Sequence, residues 1–375
     1  MKQVVLLAGL LLLFSCNMTQ VKDEPQEQPA LQVPVAYAEG FTIADHGSFK
    51  LIRLSDAWKG EKTNYQYVLY KDQAPTGYDD AIKIRVPVTS IACMSLTHIA
   101  LIEALGKENT IVAASGCNYS NSGKIKALVQ SGKITEVGSE NALNYELLAQ
   151  SKPDVVMMFG INEASLKYVN KLKTMGMTTI MNAEYMEPHP LGKAEWIKFV
   201  AAFFDESEKA DSIFSVVEKE YLSLVELTQN INNKPLVFVG MPWNGNWYVA
   251  GGKSFQAQLF QDAGARYLWD DNEERSSVVK SMELVYDKAY DAEFWLNQNS
   301  YGSIEAVVGY DEKFKHFRSV KTGRLYNNNK RMNEFEGNDY WESGTINPHL
   351  ILKDMIEIFH PELLDHELYY YQQLQ

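Results

Sequence analysis

Eight side chains in this sequence have the types that hold a large, partly apolar ligand. They are Met94, Ser95, Asn118, Tyr119, Trp243, Asn244, Trp247 and Trp341. Aromatic rings supply apolar area, and amides and hydroxyls supply oriented hydrogen bonds. Three of the seven tryptophans fall in this set, and few cations lie near it. Covalent chemistry is expected at Cys16, where Leu13-Phe14-Ser15-Cys16 has the residue types of a bacterial lipobox. Catalytic constellations are missing. There is no Gly-x-Ser-x-Gly, and Gly251-Gly252-Lys253-Ser254 lacks the upstream glycine of a phosphate loop, so it reads as a turn into a helix. The seven histidines form no His-x-x-x-His pair on one helix. His189, between Pro188 and Pro190, reads as a solvated linker residue. Cys93 and Cys117 end neighbouring expected strands and could pair or stay as small buried hydrophobes.

These residues need a scaffold, and the apolar pattern supplies one. Behind Lys2, Val4 to Phe14 is apolar but too short to span a bilayer, so 1–15 reads as a lipoprotein signal peptide. Residues 16–32 are polar, with Pro25 and Pro29, and read as a disordered tether. Residues 33–84 carry short alternating runs and read as a preface of antiparallel strands. From Val86 strands alternate with helices: 86–91, 111–114, 134–137, 155–159 and 178–181 are expected strands of a first α/β lobe, 85–204. Residues 205–231 hold a 3.6-residue apolar period through Ala210, Phe214, Val217, Tyr221 and Leu224, which predicts one long connecting helix. The alternation restarts at Leu236 in a second lobe, 232–375. The fold class is therefore α/β, with two doubly wound lobes of mostly parallel sheet. In such sheets ligands sit beyond the carboxyl ends of strands; seven of the eight residues above lie in loops expected there, and Trp341 lies in a late loop, 337–342, of the same polar-aromatic character.

Composition narrows the function. A hydrophobic content of 46% supports sizeable cores, and a net charge of -13 argues against nucleic acid. Three cysteines do not make a disulfide scaffold.

Three stretches carry a resemblance. The first runs from Val86-Pro87-Val88-Thr89-Ser90-Ile91 to Glu103-Ala104-Leu105-Gly106. The second joins Gly138-Ser139 to Asn144-Tyr145-Glu146 and Lys152-Pro153-Asp154. The third is Gly251-Gly252-Lys253-Ser254-Phe255 running into Ala263-Gly264-Ala265. Over roughly residues 84–360 the chain resembles the class III periplasmic substrate-binding proteins of ABC importers, which take up vitamin B12, ferric siderophores or haem. The resemblance implies a binding protein, not an enzyme, with no resident cofactor. It would capture a metal chelate in the cleft between two lobes and deliver it to an ABC permease. It also implies acidic docking residues on each lobe, Glu163 in the first and Asp311 or Glu312 in the second. Thr97-His98 replaces the family's Thr-Glu, and the preface is additional. An aromatic, amide-rich cleft suits a corrinoid, haem or hydroxamate-like complex, since of the arginines after Arg85 only Arg331 lies near an expected cleft loop. The expected location is outside the cytoplasm of a bacterial cell, with membrane attachment through Cys16 alone. A free zinc or manganese receptor is the alternative, and it would need several His, Asp or Glu side chains to converge, with His98 or His189 among them. A surface lipoprotein enzyme is a third reading, without a nucleophile to support it.

Overall fold

The computed structural model describes residues 30–55, 65–139, 142–160 and 163–375. The leader, Cys16 and nearly all of the tether lie outside them. Five strands form the preface: β1 (Leu31–Gln32), β2 (Phe41–Asp45), β3 (Phe49–Leu54), β4 (Gln66–Tyr70) and β5 (Ile82–Arg85), in that order across one sheet. Alternation splits their side chains between two faces. Tyr67 and Leu69 join the main core, while Leu51 and Val68 form a small outer core with Phe49. The expectation of antiparallel strands holds for β1 to β4, but β5 pairs parallel with β4.

The first lobe is a five-stranded parallel sheet in the order β10-β9-β6-β7-β8. Its strands are β6 (Ile91–Cys93), β7 (Ile111–Ala114), β8 (Thr135–Glu136), β9 (Val155–Met158) and β10 (Thr179–Met181). Helices α1 (Leu96–Ala104), α2 (Gly123–Gln130), α3 (Tyr145–Gln150) and α4 (Glu163–Thr174) connect them. The strand expected at 86–91 is displaced. Pro87 has no N–H to give a ladder, so β5 stops at Arg85 and pairing resumes at Ile91. Successive strands are added in opposite directions on either side of the parallel pair β6 and β9, which makes their carboxyl ends the switch point of the sheet.

Two packed helices join the lobes: α5 (Pro190–Phe204) and α6 (Ser207–Thr228). The long connector starts two residues later and ends three earlier than the apolar period suggests, because Asp205 takes a left-handed conformation (φ 58°) that breaks the helical path. At 22 residues α6 spans about 33 Å.

The second lobe has strands β11 (Leu236–Val239), β12 (Pro242–Trp243), β13 (Asn246–Val249), β14 (Arg266–Tyr267), β15 (Val278–Lys280), β16 (Phe294–Leu296), β17 (Leu325–Asn327) and β18 (Gln372–Gln373). The main sheet runs β14-β11-β16-β17-β18, parallel except for β18. Its helices are α7 (Phe255–Asp262), α8 (Met282–Ala289), α9 (Ile304–Tyr310), α10 (Arg318–Lys321), α11 (Asp339–Glu342) and α12 (Pro348–Phe359). Ser254 caps α7 through Ala257 N–H, so the glycine-rich stretch is a turn into a helix. The loop expected at 241–247 is instead a hairpin, β12–β13, paired with β15. Asn244 and Gly245 both have positive φ (49° and 76°), the pair of conformations a two-residue hairpin turn needs.

Candidate ligand-binding site

The carboxyl ends of the two main sheets meet. After β7, Gly116 turns left-handed (φ 74°) and Cys117–Tyr119 make a single tight turn. Glu136, at the end of β8, accepts N–H groups from Gly116 (3.1 Å), Cys117 (2.6 Å) and Gly138 (2.8 Å). That carboxylate holds two strand ends together and leaves Asn118 and Tyr119 exposed.

The opposing loop follows β17. Asn333 Oδ1 accepts the N–H groups of Phe335 and Gly337, both at 2.9 Å, and folds the loop back on itself. Its Nδ2 donates across the seam to the carbonyls of Asn118 and Ser120, both at 3.0 Å. Asn121 Nδ2 donates to the Gly337 carbonyl at 3.0 Å. Glu342 completes the clamp, accepting the Ser120 hydroxyl at 2.5 Å and Asn121 N–H at 2.6 Å. Burial raises the Glu342 pKa, while the bonds from Ser120 and Asn121 act against it. Behind the clamp, α1 packs on α11.

On this seam lies a cavity of about 310 Å³, lined by Gly116, Asn118, Tyr119, Glu136, Ser139 and Phe335. Of the eight residues singled out from sequence, only Asn118 and Tyr119 line it. Glu136, Ser139 and Phe335 escaped that reading. Asn333 was legible in principle, since an asparagine two residues before an aromatic and four before a glycine can fold such a turn.

The others lie elsewhere. Met94 is buried and, with Leu143, Met158, Phe159 and Tyr168, lines a small apolar pocket at the β6–β9 switch point. Ser95 caps α1. Trp243 and Asn244 are exposed on the hairpin, with Trp243 6.2 Å from the Tyr248 ring. Trp341 is half-exposed beside Pro190, Lys193 and Phe255 in a crevice apart from the cavity. Trp247 is a correction. It is fully buried, its indole N–H donates to the Val239 carbonyl at 2.9 Å, and it packs on Phe238 and Trp295. Strand alternation puts Trp247 inside and its neighbour Tyr248 outside. A ligand cannot reach it.

His189 is also a correction. It is half-buried, accepts Leu191 N–H on Nδ1 at 3.1 Å and packs on Tyr37 and Tyr221. Its role is to start α5. His98 is wholly buried, and burial pushes its pKa down to about 3. Among the described residues no three His, Cys, Asp or Glu side chains converge to hold a metal ion. Cys93 and Cys117 are buried free thiols, and burial pushes Cys117 up to about 12. Asp311 caps the turn Glu312–His316 and accepts the Tyr286 hydroxyl, which with Lys313 N–H holds it below the usual carboxylate range. Glu312 is exposed and 3.2 Å from Lys315. Glu163 opens α4.

A larger concavity, about 1260 Å³, lies at the other end of the second lobe, against Leu236, Arg266 and Glu293. Those residues begin β11 and β14 and precede β16, the amino ends of the strands. Ligands of parallel sheets sit beyond the carboxyl ends of the strands, which favours the smaller seam cavity.

Comparison with known proteins agrees with this architecture. The profile of periplasmic binding proteins matches residues 91–331. The chain belongs to the periplasmic binding protein family. Membership explains the paired α/β lobes and places the protein among extracytoplasmic substrate-binding proteins of transport systems. An uncharacterized lipoprotein of Methanocaldococcus jannaschii is 29% identical over 288 residues, 74% of this chain and 67% of that one. A haem-binding periplasmic protein of Pseudomonas aeruginosa shares the fold at a TM-score of 0.58 and 15% identity, covering 77% of this chain and 98% of that one. A structure described as an ABC-type Fe3+-hydroxamate transport system from Saccharomonospora viridis has a TM-score of 0.55 and 17% identity, covering 73% of this chain and 94% of that one. No helix among the described residues is long and apolar enough to cross a membrane.

Proposed function

We propose that this periplasmic binding protein is the lipid-anchored receptor of an ABC importer. It captures a metal chelate between its lobes and hands it to the permease. The observation that carries the reading is the seam cavity, where the loops after β7 and β17 meet beyond the carboxyl ends of two parallel sheets. Two half-exposed rings, Tyr119 and Phe335, face it from different lobes and offer apolar area to a flat or bulky complex. The fold is shared with proteins described as binding haem and as transporting an Fe3+-hydroxamate. Cys16 would carry the lipid, and Glu163 with Glu312 would meet basic residues of the permease, steering encounter more than adding affinity. Asp311, engaged by Tyr286, would position the Glu312 turn.

Equilibrium binding to the full chain in detergent tests this. The probes are haem, cobalamin and several ferric siderophores. Saturable binding of one, weakened at least tenfold in Tyr119→Ala and Phe335→Ala, is expected. Saturation unaffected by both substitutions would move the ligand away from the seam.

A further inference from the structure

The seam cavity carries more information than its position. We infer that it selects a chelate presenting a positive charge, such as an ammonium-bearing ferric hydroxamate, over an anionic one. This rests on the seam cavity being the ligand site.

The charges around the cavity point one way. Glu136 is the one ionisable acid or base among the six residues lining it, apart from the Tyr119 phenol. Glu334 and Glu336 flank Phe335, and both are exposed. A nearby cation, Lys126, sits 4.0 Å from Glu334 and is already matched to it. Arg331 is the arginine closest in sequence, and it is committed elsewhere. Its Nε lies 2.6 Å from Asp339, its guanidinium stands over the Tyr369 ring at 4.3 Å, and it lines a separate pocket behind the clamp.

The aromatic pair fits the same charge. The faces of Tyr119 and Phe335 are electron-rich and attract a cation that has lost some of its water. Asn333 fixes both partners at once. It folds the loop that carries Phe335 and binds the carbonyls on either side of Tyr119. A cationic group entering between them would meet two ring faces and the Glu136 carboxylate. An anionic triscatecholate would meet the Glu136 carboxylate and, beside Phe335, the exposed Glu336, with no cation among the described residues lining the cavity, and like charges brought together oppose binding. The chain's net charge of -13 adds a long-range field of the same sign.

The test compares three probes on the full chain in detergent: a ferric trihydroxamate with a free ammonium group, its N-acetylated neutral analogue, and a ferric triscatecholate. The first two differ by one charge at nearly constant shape. The ammonium form is expected to bind about tenfold more tightly than the acetylated form, with the gap shrinking as salt rises. The triscatecholate is expected to be weakest. Glu336→Gln and Glu136→Gln should each narrow the gap, and Glu336→Gln removes no hydrogen bond that shapes the loops. A merely structural carboxylate would lower both affinities together and leave their ratio unchanged. Equal affinity for the first two probes, or preference for the triscatecholate, overturns the charge selection while leaving the receptor reading in place. Binding of none of the three, with haem and cobalamin also silent, removes both.

Discussion

The hydroxyl of Ser120, in the first lobe, donates to the carboxylate of Glu342, in the second, at 2.5 Å, and both residues are buried. They are 222 residues apart in sequence. With Asn121 N–H on the other carboxylate oxygen, this contact fixes how far the lobes can separate on the side bearing the cavity.

Removing that carboxylate should loosen the seam. Glu342→Ala leaves the O–H of buried Ser120 without an acceptor and a partly buried amide without a partner, at a cost of about 2–4 kcal/mol in denaturant unfolding. Burial raises the Glu342 pKa above its unfolded value, so the folded state holds this proton more tightly. Its contribution is therefore fully present below the unfolded pKa and declines as pH rises through the folded one. Glu342→Gln should flatten the pH dependence of stability over that window. An unchanged slope would show that Glu342 does not titrate with folding.

His98 works in the opposite sense. Burial lowers its pKa to about 3, so below about pH 6.5 the unfolded chain takes up a proton that the folded chain refuses. Stability from this site is complete above the unfolded pKa and is lost as pH falls towards the folded one. Between about pH 6.5 and pH 5 the loss is about 2 kcal/mol. His98→Leu should remove that part of the acid sensitivity, read from unfolding midpoints at the two pH values.

The two hairpin tryptophans should separate cleanly. Trp247→Ala empties core volume next to Phe238 and Trp295 and should cost about 3–5 kcal/mol. Trp243, 64% exposed, should change stability by no more than about 0.5 kcal/mol on replacement by alanine. Acrylamide should quench the fluorescence lost in Trp243→Ala and spare that lost in Trp247→Ala.

At Gly337 the backbone of the second lobe packs directly against that of the first. A Cβ there would stand 1.9 Å from the Tyr119 carbonyl oxygen, so Gly337→Ala must push the two loops apart. Thermal unfolding should register a loss of about 1–3 kcal/mol, together with weaker ligand binding. Gly309, within α9, has nothing within 4 Å of its Cβ position. Gly309→Ala should be neutral or gain up to about 1 kcal/mol through helix propensity.

The sequence by itself determined the architecture, because fold class is written in local periodicity. Continuous apolar runs such as Val155-Val156-Met157-Met158 are buried parallel strands, and the 3.6-residue period after Asp205 is the connector. The turn into a helix at Gly251-Gly252-Lys253-Ser254 was equally legible, and Ser254 caps α7. Legibility failed where a single residue or dihedral pair overrode the pattern, as Pro87 did for the first strand and Asn244-Gly245 did for the hairpin. The Asn-Gly signal was present, and reading the stretch as a loop assigned Trp247 to the solvent side that its neighbour Tyr248 occupies.

Tertiary structure alone decided the site. Asn118 and Tyr119 are separated from Phe335 by more than two hundred residues, and nothing local to either loop specifies that they meet. Their meeting depends on the angle set by α5, α6 and the packing of α1 on α11, and on hydrogen bonds between loops from different lobes. A pocket is a relation between distant surfaces, so residue types could nominate its members but could not select among them. That is why residue type points equally to Trp341 and Phe335, and only the packing of the lobes puts Phe335 on the cavity and Trp341 in a crevice apart from it.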